Sequence, residues 1–290
     1  MTSTRTVRAG ARDVFLADVS PEGGHDARRP PLLLLHGGGP GATGLSNYAR
    51  NIDALVTAGH RVLVPDMPGY GQSTKDLDQA DPFGDLAIFV RELLDALDVE
   101  KAHVVGNSYG GAAALRLALD RPDRVASLVL MGPGGIGTTR KPPTKGLNAL
   151  LDYYAGNGPS RAKLATFIRD YLVHDASSVP DELIESRYQA SIDPAVIAAP
   201  PLRRPSGRDA LRTLWRMDFT RQKARLERCA IPTLAVWGTL DKVNRPSGGP
   251  WLARTMPRCD LHLFARTGHW VQYEQADRFN RLLLDWVSAA

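Results

Sequence analysis

Sulfur is scarce in this chain. Its 290 residues hold two cysteines, Cys229 and Cys259, each just ahead of an apolar run; neither has a CxxC partner, and the lone CxxH spacing, Cys259 to His262, has no second ligand pair beside it. That spacing excludes a disulfide framework and a cysteine-based metal site, and it predicts reduced thiols of the kind found in the cytoplasm. Long apolar runs are missing as well. No stretch approaches the roughly twenty residues of a membrane span, and the polar segment Met1 to Ala11 lacks the apolar core of a signal peptide. Segregated charge is the third absence. The 36 Lys and Arg exceed the 31 Asp and Glu, for a net charge of +5, but the two signs are interspersed, which argues against a nucleic-acid or membrane-surface footprint. The densest basic group, Arg203, Arg204, Arg208, Arg212 and Arg216, is interrupted by Pro205, Gly207 and Asp209. It reads as a solvated face, the functional alternative being attraction of an anionic substrate.

What the chain does have is a globular composition, 43% hydrophobic and 23% charged, and an alternation of short apolar runs with helix-period segments. The runs Pro31 to Leu35, Arg61 to Pro65, Ala102 to Val105 and Val125 to Met131 predict buried strands. Helical patterns at Ser46 to Thr57, Gly84 to Leu97 and Gly110 to Leu119 lie between them. This is the signature of parallel strands joined by crossover helices. After Met131 a Gly- and Pro-rich break ends the alternation, and the pattern from about Leu147 to Met217 is helical, with Tyr153, Tyr154, Tyr171 and Trp215 expected in its own core. Strands resume at Pro232 to Trp237 and Leu261 to Phe264, and a helix near Gln275 to Val287 closes the chain. The expected division is a core over 1–134 and 218–290, interrupted by a helical lid over 135–217. Thr6 to Arg8 and Asp13 to Leu16 are candidates for short antiparallel edge strands.

The chemistry-bearing motif is Gly106-Asn107-Ser108-Tyr109-Gly110-Gly111. A Gly-x-Ser-x-Gly between an apolar strand and a helix is a nucleophile elbow: the glycines permit a sharp turn that presents the serine hydroxyl at the end of the sheet. A serine hydroxyl is a weak nucleophile near neutral pH and needs a base, itself oriented by an acid, with the chain order Ser, acid, His in this fold. Of the seven histidines, His25, His36, His60 and His103 precede Ser108, and His174 and His262 fall within helical and strand patterns. His269, in a loop after the last strand, is the expected base. Asp241, shortly after the run Ala235-Val236, is the expected acid. Asp260 precedes its strand, and Asp66 would break the chain order. Donors for a developing oxyanion are expected from the Gly38 and Tyr109 N–H groups, with Gly37 and Gly39 letting substrate approach the backbone. No Lys-Ser/Thr or GxGxxG accompanies those glycines, which disfavours a phosphate loop.

Together HGGGPGA at 36–42, Ser46-Asn47-Tyr48, GNSYGG at 106–111, MGPGG at 131–135 and GHW at 268–270 resemble the meta-cleavage product hydrolases of the α/β-hydrolase superfamily. The resemblance runs from about residue 31 to the C-terminus. It implies an α/β fold, a mostly parallel sheet flanked by helices with an inserted helical lid. The implied activity is cofactor-independent cleavage of a carbon–carbon bond in a 2-hydroxy-6-oxohexa-2,4-dienoate, in aromatic-compound catabolism. It also implies a Ser108, Asp241 and His269 triad, a polar pocket of Asn47, Asn107, Arg187 and Trp270 for the dienoate, and a homo-oligomer. Two positions depart from the family pattern: Tyr109 where an aliphatic side chain is usual, and Thr239-Leu240 where a charged pair is usual. An esterase or lactonase would need everything here except Arg187, and a ligand receptor on the same fold would need no triad. A haloalkane dehalogenase would need Asp at 108.

Overall fold

The computed structural model describes residues 3–26 and 28–289. Eight strands form one sheet: β1 (Ser3–Ala9), β2 (Arg12–Val19), β3 (Leu32–Leu35), β4 (Val62–Pro65), β5 (Ala102–Asn107), β6 (Val125–Met131), β7 (Thr233–Gly238) and β8 (Cys259–Phe264). Their order is β1-β2-β4-β3-β5-β6-β7-β8. From β4 to β8 all neighbours run parallel, while β1 and β2 form an antiparallel edge. The parallel part lies between helical layers, which is why β3, β4 and β5 are buried throughout and read as continuous apolar runs.

Period-two alternation divides the core between the two faces. Leu33 and Leu35 pack with Phe89, Leu93 and Ala112 on one side, and Leu32 and Leu34 with Leu55, Phe279 and Leu283 on the other. The helix Pro82–Ala96 begins as its sequence dictates, with Pro at the first position and Asp81 accepting from the Gly84 N–H. Burying Phe89, Leu93 and Leu94 contributes up to about 2–3 kcal/mol each.

The single helix expected over Ser46 to Thr57 is two, Gly44–Tyr48 and Ile52–Thr57. The break has a tertiary cause. Buried Tyr48 donates to Leu35 O, and buried Asn51 donates to Gln272 O and Asn280 Oδ1, so the chain between them bends to serve both. His174, assigned to a helical pattern, instead lies on a bend. Between β6 and β7 lie the helices Lys145–Leu151, Arg161–Thr166, Asp181–Ser191 and Ala210–Arg216, with a wide π-helical turn at Phe167–Leu172. Tyr153, Tyr154 and Tyr171 belong to the core these helices share, but Trp215 is 52% exposed and lies under the Arg221 guanidinium. Both cysteines are free thiols. Among the described residues no helix is long and apolar enough to cross a membrane.

Candidate active site

The sharp turn after β5 is where the sequence places it. Ser108 has φ of 53°, a left-handed conformation that costs a non-glycine residue about 1–2 kcal/mol. A Cβ at Gly106 would come within 2.4 Å of Gly110 O, and one at Gly110 within 2.3 Å of Leu35 O. Both glycines are therefore required by close backbone packing, and the turn they permit carries Ser108 at the start of the helix Ser108–Asp120.

Three loops at the C-terminal edge of the sheet converge on it. After β7, Asp241 Oδ1 accepts the N–H groups of Val243 and Asn244, both at 2.8 Å, which aims Oδ2 at His269 Nδ1, 2.7 Å away. The pair is buried, and Gly132 leaves room for it, since a Cβ there would stand 3.1 Å from both partner atoms. With Nδ1–H donated to the carboxylate, His269 Nε2 carries the free lone pair. That atom is buried without a protein hydrogen-bond partner, and His269 and Ser108 line the same small cavity. The rival acids lie elsewhere. Asp260 is exposed within edge strand β8, and Asp66 accepts from the Gly44 and Gln72 N–H groups.

After β3, the glycine run forms one wall of this cavity. Among the described residues, neither the Gly38 N–H nor the Tyr109 N–H donates to a protein acceptor. Two unpaired N–H groups flanking a serine, one at a helix N-terminus, are disposed to stabilise negative charge. Tyr70, absent from the sequence reading, steadies the run by donating to Gly38 O at 3.0 Å. The glycines here have a second cause that sequence reasoning missed. A Cβ on Gly39 would lie 2.5 Å from Arg187 Nη2, and one on Gly41, at φ 63°, would lie 1.8 Å from Arg187 O.

Arg187 is the electrostatic singularity of the cavity. It is 2% exposed, donates from Nε and Nη2 to Pro40 O at 3.1 and 3.0 Å, and lies 5.5 Å from the Trp270 ring. Among the described residues no carboxylate pairs with it. Asp181 and Glu185, its plausible surface partners, are taken by Arg161 and Arg169. Burial pushes its guanidinium down to about 10, still charged at neutral pH. Trp270 Nε1 is also buried and unpartnered. Asn47 lines the same cavity, its amide donating to Thr43 O. Asn107 lines it too, but its amide donates to Met131 O and His269 O, so it also ties the elbow to the histidine loop. The cavity thus offers an unpaired cation, a free indole N–H and unpaired backbone donors, a set complementary to a carboxylate or enolate.

A second, larger cavity also reaches Ser108, with Phe83, Leu150, Leu151, Leu202 and Met217 in its walls. Bulky Tyr109 is buried beside it, edge-on to Phe83, so it narrows this apolar side and leaves the polar cavity untouched. The Thr239-Leu240 departure touches neither cavity. Glu274 was also missed. Its Oε1 accepts the Gly268 N–H at 2.8 Å and its Oε2 the His174 N–H at 2.7 Å, while Leu172 O accepts the His269 and Trp270 N–H groups. The histidine loop is thereby stitched to the segment inserted between β6 and β7.

Comparison with known proteins agrees with this geometry. The alpha/beta hydrolase fold family matches residues 30–276. A 2-hydroxy-6-oxo-6-phenylhexa-2,4-dienoate hydrolase of Burkholderia cepacia is 39% identical over 261 residues, covering 89% of this chain and 87% of that protein. A 2-hydroxy-6-oxononadienedioate/2-hydroxy-6-oxononatrienedioate hydrolase of Comamonas testosteroni is 39% identical over 263 residues, with coverage of 89% and 87%. Among solved structures, the meta-cleavage product hydrolase CumD of Pseudomonas fluorescens IP01 superposes with a TM-score of 0.84 at 32% identity, covering 98% of this chain and 97% of that one. With a serine at a strained elbow, a buried acid–histidine pair and relatives of this kind along nearly its whole length, the chain belongs to the meta-cleavage product hydrolases of the α/β-hydrolase superfamily.

Proposed function

We propose that the protein cleaves the C5–C6 bond of a 2-hydroxy-6-oxohexa-2,4-dienoate, without a cofactor, releasing 2-hydroxypenta-2,4-dienoate and a carboxylic acid. Ser108 is the nucleophile, His269 the proton carrier and Asp241 its orienting acid. The N–H groups of Gly38 and Tyr109 hold the oxyanion, and Gly37, Gly39, Asn47, Asn107, Arg187 and Trp270 surround the dienoate. The observation that carries the carbon–carbon reading is buried Arg187, a cation with no carboxylate partner among the described residues, in the cavity shared by Ser108 and His269. Ester hydrolysis has no use for it. A substrate with a carboxylate beside an enol supplies the missing partner, and the guanidinium holds negative charge on the dienolate.

In this scheme the 2-hydroxyl loses its proton while C5 gains one, with His269 carrying protons, which leaves an isolated ketone at C6. Attack of Ser108 on C6 then places charge in the Gly38 and Tyr109 donors, and the C5–C6 bond breaks. The pentadienolate departs as a delocalised anion facing Arg187, and water hydrolyses the acyl group from Ser108. Residues 135–217 are the lid that closes over both cavities. The free thiols suit a cytoplasmic enzyme, and family resemblance supports a homo-oligomer acting on small molecules.

The test compares a coloured ring-fission dienoate with a p-nitrophenyl ester. The protein is expected to bleach the dienoate with the higher kcat/KM, and Ser108→Ala to remove at least about 10³-fold of kcat while still binding the dienoate. Preference for the ester, or equal losses on both substrates for Arg187→Gln, would defeat the carbon–carbon reading.

A further inference from the structure

Next to the apolar cavity at Ser108 lies a further chamber, and the two share Thr138, Pro143, Leu147, Val243 and Asn244 in their walls. They meet just downstream of Asp241, so the chamber continues the acyl side of the site rather than the dienoate side. Buried Trp237 and half-buried Trp251 line it, together with the exposed cations Arg140, Lys141, Arg245 and Arg254. Among the described residues no Asp or Glu lines either cavity, although the chain has nearly as many acids as bases, 31 against 36.

These cations are available. None of the four forms an ion pair among the described residues, whereas Arg204, at the first cavity, is paired with Asp152. Arg140 Nε donates to Thr220 Oγ1 at 3.0 Å and Arg245 Nη2 to Pro142 O at 2.8 Å. Each arginine is thus anchored by one uncharged acceptor and keeps other N–H groups for a ligand. Two anchored guanidiniums in an acid-free chamber suit an anion, and the apolar walls before them suit the hydrocarbon that would carry it.

We propose that the substrate's acyl arm crosses the apolar cavity and ends in a carboxylate held by Arg140 and Arg245. This rests on the carbon–carbon reading above and adds to it the class of acyl substituent: an apolar body with a distal anion. An arm that crosses the first cavity and ends at the two guanidiniums carries an apolar spacer before its carboxylate, and an aryl-alkyl carboxylate suits these walls.

The experiment uses dienoates whose acyl group is phenyl, an ω-carboxy-arylalkyl chain or the corresponding neutral amide. The expected result is a kcat/KM at least tenfold higher for the carboxylate than for its amide, falling as salt is raised. In Arg140→Gln/Arg245→Gln that ratio should drop to near one, through KM. A ratio near one in the unaltered protein, or one unchanged in the double variant, would overturn the proposal. Calorimetric binding of the product-side arylalkyl dicarboxylate, against its ω-amide, reads the chamber without turnover. Tighter binding of the dicarboxylate supports the chamber even if no dienoate is cleaved, and equal binding refutes it; failure to cleave the phenyl substrate as well would count against the carbon–carbon reading alone.

Discussion

Arg187→Gln should make the protein more stable and less active. The guanidinium is buried, and burial lowers its pKa from 12.5 to about 10. At 1.36 kcal/mol per unit, the fold disfavours the cation by roughly 3 kcal/mol. Glutamine removes the charge and can keep one of the two hydrogen bonds to Pro40 O. The bond lost and the altered packing on Gly39 return about 1–2 kcal/mol. The net gain is on the order of 1–2 kcal/mol, a rise in Tm of about 2–6 °C for a chain of this size. Because Arg187 is a base with a depressed folded-state pKa, the unfolded chain binds more protons only between about pH 10 and 12.5. The penalty is complete below that window, so the difference in Tm should be constant from pH 6 to 9. Scanning calorimetry checks this, alongside kcat/KM on the dienoate, which should fall about 10²-fold with loss of a bidentate carboxylate partner. A small carboxylate should raise the Tm of the parent protein but not of the variant. A variant that melts several degrees earlier would refute the reasoning, since the cation would then be satisfied within the fold and not held for a ligand.

Three other perturbations test the supports of the site. Gly41→Ala sets a Cβ 1.8 Å from Arg187 O at a φ of 63° and should cost more than about 3 kcal/mol in urea unfolding, against about 1 kcal/mol for Gly59→Ala, whose φ is positive but whose Cβ would meet only Arg29 Nη1, at an ordinary 3.5 Å. Equal costs would show that backbone conformation alone matters. Glu274→Ala leaves the Gly268 and His174 N–H groups without their acceptor and should lower kcat about tenfold with less effect on KM, Glu274→Gln restoring part; unchanged kcat would mean the stitch between histidine loop and inserted segment is irrelevant to turnover. Burial would raise the Asp18 carboxyl, but its bonds to Arg61 and Arg5 outweigh this and hold it below 3.8. Its stabilisation is therefore present above about pH 4 and lost as pH falls through the lower folded value. Asp18→Asn should cost about 1–2 kcal/mol at pH 7 and almost nothing at pH 2, by urea titration at each pH.

The elements legible in the sequence were those whose causes are local. The elbow is fixed within a few residues: an apolar strand, two glycines that no side chain could replace, and a helix. Asp241 and His269 were legible because parallel topology delivers the ends of successive strands to one edge, so chain order became spatial order. The glycine run shows where this stops. Its glycines were read as access for substrate, whereas Gly39 and Gly41 exist because Arg187, about 150 residues later, packs against them; no local pattern encodes that. Glu274 sits in an ordinary helical pattern, and only the partners brought to it from residues 174 and 268 give it a task. Trp215 failed in the opposite direction, an aromatic at helical spacing whose face the neighbouring segments leave uncovered. The same distinction bears on Tyr109. In the sequence it is a departure from the aliphatic side chain usual beside the nucleophile. In the structure its ring packs on Phe83 at the apolar cavity and not among the residues around Arg187, so on the proposed reading its bulk bears on the acyl group while its backbone N–H serves the oxyanion. On the proposed reading, a change at position 109 would therefore alter which acid is released, while the residues that fix the bond to be broken are those around Arg187.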